Sequence, residues 1–336
     1  MGWEMYRNVS MRDRDFNLDF VKGVLVIVMV VYHAMNYFAI VVAEYYGYLR
    51  FINGAFIFIS GYVVSTLYDK KYQTNKEQMY VRLVVRGLKL LALFTVLNLL
   101  VSALGVTSYQ DVDFGLSQYW SHLGEIYGFG NGKLMAFQIL VPISYVLLIS
   151  PIFFIFQKFK IVLIVSTLLL AVFYTHLKLD APNLFLGMIG LVGVAVGMLG
   201  AKSNFYTVNN WFILLFSMVI SASVMNYLSG NVLTYSLGIL VVLKLIYDSA
   251  SLIDMKKPLF RMTILLGQYS LICYIGQIVF LYALYRLLSM PKWPLGYEII
   301  LVIVAATLFL VCVCLALAYL RPRYRWVDNA YKVIFA

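Results

Sequence analysis

Residues 14–36 read RDFNLDFVKGVLVIVMVVYHAMN. The stretch opens polar, with Arg14, Asp15, Asn17, Asp19 and Lys22, runs apolar from Val24 to Val31, and then meets His33. From Lys22 to His33 is eleven residues, which at ~100° each is three turns plus ~20°, with a rise of ~16 Å. The two side chains therefore share one face of one helix, and Asp15, Asp19, Val26, Met29 and Asn36 fall on or near the same stripe. One end of the stripe is charged and belongs near water. The other carries an imidazole about half a bilayer deep.

Two readings of His33 stand side by side. A neutral imidazole bonded to a neighbouring helix is one. The other follows from the rarity of ionisable residues in membrane spans, where they line cavities or do chemistry. Lys22 divides likewise between the stripe and a lysine that snorkels to the interface.

The rest of the chain fixes the class. Of 336 residues, 63% are hydrophobic and 12% charged, with a mean hydropathy of +0.87, which excludes an ordinary soluble domain. Apolar stretches long enough to span a bilayer recur from end to end, so an all-α, polytopic integral membrane protein is expected. It reads as a single transmembrane domain over 1–336, with a cytoplasmic segment at 1–17 and a cytoplasmic tail at 321–336. The polar start, Met1 to Asp19, and the length of the first apolar run argue against a cleaved signal peptide.

Hydropathy places ten spans near 18–40, 49–69, 80–104, 134–156, 161–176, 182–200, 208–228, 231–248, 262–287 and 297–320. With ten spans, Arg7, Arg12, Arg14, Lys70, Lys71, Lys76, Arg82, Lys158, Lys160, Lys202, Lys256, Lys257, Arg261, Arg321, Arg323, Arg325 and Lys332 all fall on one side. Only Arg50, Lys133, Lys178 and Lys292 fall on the other. The rich side is cytoplasmic, so both termini are expected inside. The same distribution accounts for the net charge of +11 without nucleic acid as a partner. Cys273, Cys312 and Cys314 lie within apolar segments and form neither a disulfide framework nor a metal pattern, and no metal is expected. Lys244 and Asp248, four apart, are spaced to pair.

The longest loop, Gly105 to Lys133, belongs outside. It combines Asp111, Asp113, His122 and Glu125 with Tyr109, Tyr119, Trp120, Tyr127 and Phe129. Aromatics with carboxylates suit a carbohydrate lid; an interfacial aromatic belt explains them equally well. In the third span, Arg82, Arg86 and Lys89 recur at helical spacing as a basic stripe. It reads as an anion cradle or as snorkelling to lipid phosphates.

The wording of residues 14–33 resembles the opening of the integral-membrane acyltransferase-3 family, in which a basic residue, ten intervening residues and a histidine follow Leu-Asp. Leu18-Asp19, Lys22, Gly23 and His33 fill that pattern, and FINGAFIFISGYVVS resembles the family's second span, with Ser60-Gly61 in place. Arg86-Gly-Leu-Lys89 approximates its Arg-x-x-Arg pair, and LLGQYSLICYIGQ resembles a segment near the family's end. Gln138 stands where many sugar O-acetyltransferases have a glutamate, and Gln277 where a histidine often follows. Both departures lean toward the OpgC-like glucan succinyltransferases. The heparan-α-glucosaminide N-acetyltransferases share the same opening.

The resemblance implies transfer of an acetyl- or succinyl-type group from cytoplasmic acyl-CoA to a hydroxyl or amine of an extracytoplasmic acceptor, a glycan by preference, in a bacterial inner or plasma membrane. On that expectation His33 is the general base, with Lys22 and Asp19 beside it in the catalytic set. Arg82, Arg86, Lys89 and Lys22 hold the CoA phosphates, and Asn36, Asn53 and Ser60 face the acceptor. Asp19 reads alternatively as the partner of Lys22 or a helix cap, and Ser60 as back-bonded in its own helix. The partners are then acyl-CoA, the acceptor and the bilayer, with a homodimer left open. A transporter or flippase of a lipid-linked or small anionic substrate is the rival.

Overall fold

A computed structural model describes residues 15–39, 48–49, 51–103, 116–130, 136–177, 179–199, 219, 230–253, 257–287 and 296–335. The expected span at 208–228, save residue 219, lies outside the described residues, as do 1–14 and parts of the 105–133 loop. So do Arg50, Lys133, Lys178, Lys202, Lys256 and Lys292.

Among the described residues the regular structure is helical, without a strand. Helix α1 is Phe16–Phe38. Helix α2, Phe51–Val63, passes through a π-helical stretch, Val64–Tyr68, into Asp69–Lys71. Then come α3 (Lys76–Ala103), a short α4 (Leu116–Ser121), α5 (Leu140–Ile155), α6 (Lys160–Leu177) and α7 (Pro182–Met198). The chain ends with α8 (Val232–Leu252), α9 (Pro258–Gln268), α10 (Ser270–Leu287), α11 (Tyr297–Leu320) and α12 (Arg325–Phe335).

Among the described residues, six helices are long and apolar enough to cross a membrane, and seven if α9 and α10 together make one broken span. The expected spans at 134–156 and 182–200 fall on α5 and α7, apolar helices of 16 and 17 residues, at the lower end of the ~17–25 residues that cross a bilayer. Hydropathy also reads 262–287 as one continuous helix. The structure breaks that segment at Tyr269 (φ −107, ψ 26), where α9 and α10 meet at 90°.

By internal contacts the chain forms two units, each assembled from separated stretches. The first comprises Met1–Ala39, Thr207–Leu214 and Leu243–Leu320. Here α1 packs along α9 and against α10 and α11. Its crossing with α9 is set by two glycines. A Cβ on Gly23 would lie 1.8 Å from the Thr263 carbonyl oxygen, and one on Gly267 1.8 Å from that of Asp19. Small residues let helix backbones touch where lipid gives no hydrophobic drive to pack. Around the crossing, Phe20 stacks on Phe260 with ring centroids 4.8 Å apart, and Leu25, Val26 and Met29 are fully buried. Farther along, Tyr37 meets Tyr282 and Tyr285 at 6.5 and 6.0 Å.

The second unit comprises Ile40–Tyr206, Leu215–Val242 and Arg321–Ala336. Its centre is α2 against α7, again in backbone contact: a Cβ on Gly61 would lie 2.0 Å from the Gly190 carbonyl oxygen. Helix α5 packs on α3 and α7, while α3 and α6 keep long exposed apolar faces, such as Val81, Val96, Ile161 and Leu169, suited to lipid. The described part of the 105–133 loop is tied down by polar contacts. Asn183 donates to the carbonyls of Ile126 (2.9 Å) and Tyr127 (3.0 Å), and Tyr145 donates to the Tyr127 carbonyl at 2.7 Å. The Tyr127 hydroxyl lies 2.6 Å from that of Thr95 and 2.7 Å from that of Tyr119. Tyr119 is fully buried, and burial together with its bond to Tyr127 pushes its phenol well above the ordinary range. Trp120 and Phe129 of the same segment remain exposed.

Candidate active site

Helix α1 starts where the sequence provides a cap. The Asp15 carboxylate accepts from the Leu18 N–H at 3.0 Å, occupying one of the donors that an α-helix start leaves unpaired. Its second oxygen accepts from the Tyr247 hydroxyl at 3.1 Å, which fixes the entry of α1 against α8. One turn on, Lys22 and Asp19 form an ion pair at 2.7 Å, the lysine 23% and the aspartate 5% exposed. The pairing alternative for Asp19 is thus the arrangement observed, and the cap itself is Asp15.

The stripe divides by environment. Val26 and Met29 are buried in the unit's core, whereas Lys22, His33 and Asn36 each keep part of their surface open. His33 and Tyr32 meet in a T-shaped arrangement with ring centroids 5.1 Å apart. A half-buried imidazole with a half-exposed amide one turn beyond can meet a second molecule, which a wholly buried one cannot.

The basic stripe of α3 lines a cavity of about 460 Å³ between α3 and the end of α2. Arg82, Arg86 and Lys89 are joined there by Lys71, Tyr68 and Tyr72. Arg86 donates to the Tyr68 hydroxyl at 2.6 Å, and Arg82 to that of Tyr72 with its guanidinium carbon 5.2 Å from that ring. Lys89 donates to the Lys332 carbonyl at 3.2 Å. Among the described residues no carboxylate pairs with any of these four cations, since Asp69 is held by Lys76. Neutral phenols orient the two guanidiniums without cancelling their charge, leaving further N–H donors for a bidentate anion. The volume lies within the ~300–1,000 Å³ usual for small-molecule sites.

The sequence reading takes Lys71 only as a loop cation and does not single out Tyr68 or Tyr72. Tyr68 and Tyr72 are four apart, but hydropathy places them at the frayed end of a span. The π-helical stretch that ends at Tyr68 shifts the register in which Tyr68, Lys71 and Tyr72 follow α2. Ser60 donates back to the Phe56 carbonyl at 2.8 Å, the back-bonded alternative, though its oxygen can still accept. Asn53, also on α2, is half-buried, and both belong to the second unit. Lys244 pairs with Asp248 as its spacing predicts. Gln277 is fully buried, and its amide has no hydrogen-bond partner among the described residues. Cys312 is exposed and Cys314 buried, on different sides of α11.

Comparison with curated proteins and with solved structures gave no match. The profile of the acyltransferase-3 family, described as an acyltransferase domain, matches residues 15–319. That range takes in α1 with the Lys22–His33 stripe, the groove of α2 and α3, and every membrane-crossing helix described above. The transporter or flippase reading gives way to this match, and the chain belongs to the acyltransferase-3 family of integral-membrane acyltransferases.

Proposed function

We propose that the protein moves an acetyl- or succinyl-type group from acyl-CoA on the cytoplasmic side to a hydroxyl or amine of an extracytoplasmic glycan. The observation that carries this reading is the groove in which Lys71, Arg82, Arg86 and Lys89 converge with no carboxylate paired to them among the described residues. A site of that kind attracts a polyphosphate, and the phosphorylated nucleotide of CoA is one. Lys22 begins the stripe that the extended pantetheine follows, and His33 lies ~16 Å along it by helix rise.

His33 takes the proton of the acceptor hydroxyl as its oxygen attacks the thioester carbon. The carbon–sulfur bond breaks, and the imidazolium returns the proton to the departing thiolate. Asp19 holds Lys22 at 2.7 Å and so sets the position of its ammonium. Asn36, one turn beyond His33, and Asn53 and Ser60 of α2 are the acceptor-side candidates. On this reading both termini lie on the cytoplasmic side, with the basic loops, and the 105–133 loop lies outside.

The test separates donor binding from transfer. His33→Ala and His33→Gln should bind CoA normally and lose acyl transfer by at least ~10²-fold, the low end of general-base assistance. Arg86→Gln with Lys89→Gln should lose CoA affinity, at about 1.5–3 kcal/mol for each charged contact removed. Near-normal turnover in His33→Gln refutes the base, and unchanged calorimetric affinity in the double variant refutes the groove.

A further inference from the structure

Helix α12, Arg325–Phe335, lies beyond the matched range, and none of its residues is buried. At ~100° per residue, Trp326, Ala330, Val333 and Ile334 gather on one face, and Arg325, Asp328, Asn329 and Lys332 on the other. The apolar face is uncovered: Trp326 is 72% exposed, Val333 67% and Ile334 44%. The polar side is ordered. Arg321 donates to Asp328 from Nε (3.0 Å) and Nη2 (2.8 Å), Lys332 pairs with the other carboxylate oxygen, and the Arg321 guanidinium lies 3.7 Å from the centre of the Tyr331 ring. These bonds hold the Asp328 carboxyl below the ordinary carboxylate range, first through Lys332 and then Arg321.

What covers the apolar face follows from chain connectivity and charge. Helix α11, a 24-residue membrane-crossing helix, ends at Leu320, and α12 starts after the four residues 321–324. Four residues reach at most ~14 Å, so α12 starts no farther than the headgroup region from the end of that span. Arg321, Arg323, Arg325 and Lys332 stand against the single carboxylate Asp328. A helix with that split, tethered at that depth, lies in the membrane plane with its apolar face at the headgroup–acyl boundary. Its excess of cations selects anionic lipid.

We propose that α12 is an in-plane helix that seats Trp326, Ala330, Val333 and Ile334 in an anionic leaflet. Its seating also reaches the groove, because the Lys332 carbonyl accepts from Lys89, a groove residue. That consequence rests on the donor reading above; the lipid seating does not.

The experiment uses the full chain in nanodiscs of phosphatidylcholine with or without phosphatidylglycerol. The emission of Trp326 is taken as the difference between the wild type and Trp326→Phe. With phosphatidylglycerol present, lipids brominated near the headgroup should quench most of that emission while aqueous iodide leaves it. Arg323→Gln with Arg325→Gln should restore iodide quenching. Iodide quenching in both lipid mixtures overturns the proposal. So does equal protection without phosphatidylglycerol, which would remove the anionic requirement. Protection from both quenchers in discs that hold two chains would assign the face to a second copy instead. Val333→Asp should lower CoA affinity in anionic discs while Val333→Leu retains it. Unchanged affinity in Val333→Asp, with Trp326 released to iodide, refutes the link to Lys89 and leaves the lipid seating standing.

Discussion

Replacing Gly23 by alanine puts a methyl group 1.8 Å from the Thr263 carbonyl oxygen and 2.7 Å from its carbon, where ordinary contact starts at 3.4 Å. Both atoms are backbone, so no side-chain rotation relieves the clash. Helices α1 and α9 must separate by about 1.6 Å at the crossing, given that contact distance. A gap of even ~0.5–1 Å forfeits a quarter to a half of each dispersion contact. Overpacking typically costs ~1–3 kcal/mol, and a backbone collision belongs at the upper end. Alanine regains ~1 kcal/mol of helix propensity over glycine, so the net destabilisation is about 2 kcal/mol. At roughly 2–4 °C per kcal/mol, the thermal midpoint in detergent should fall by about 4–8 °C. Gly276→Ala is the control, because its methyl would meet only side chains, Leu310 Cδ2 at 3.3 Å and Phe309 at 3.9 Å, which can yield. It gains the same propensity and should leave the midpoint level or raise it. Equal midpoints for the two variants would refute the close crossing. Transfer should fall with Gly23→Ala, since α1 carries Lys22 and His33 and a ~1 Å misplacement can cost ~10²-fold.

Two further outcomes are expected. A cysteine in place of the exposed Ser121 should react with an impermeant maleimide on intact cells, and labelling only after lysis would invert the topology. Asp328, depressed below its ordinary 3.8, stabilises the fold of α12 onto Arg321 above that pH. The contribution should be lost as pH falls through the lower folded value. Trp326 emission in detergent should therefore be flat down to about pH 4, the ordinary carboxylate range, and change below it. A transition near pH 6 would assign the effect to another group.

Sequence and tertiary structure divided the protein along physical lines. Residues 14–36 alone specify a helix that starts polar and carries Lys22 and His33 on one face, because helical period and bilayer thickness are local constraints. The family pattern around His33 is local too, and so is the four-residue spacing that pairs Lys244 with Asp248. Composition settled the all-helical membrane class. The break at Tyr269 was not legible, because LLGQYSLICYIGQ averages apolar despite Gln268, Ser270 and Gln277, and hydropathy does not register the direction of a helix. It lies two residues past Gly267, where α9 meets the Asp19 backbone, a contact between segments some 250 positions apart. The groove was half legible: Arg82, Arg86 and Lys89 show in the period of α3. Lys71, Tyr68 and Tyr72 come from another helix, through a π-helical turn that no spacing rule announces. A site built by two helices is decided by how they pack, and in a membrane that packing is set by where small residues let backbones touch.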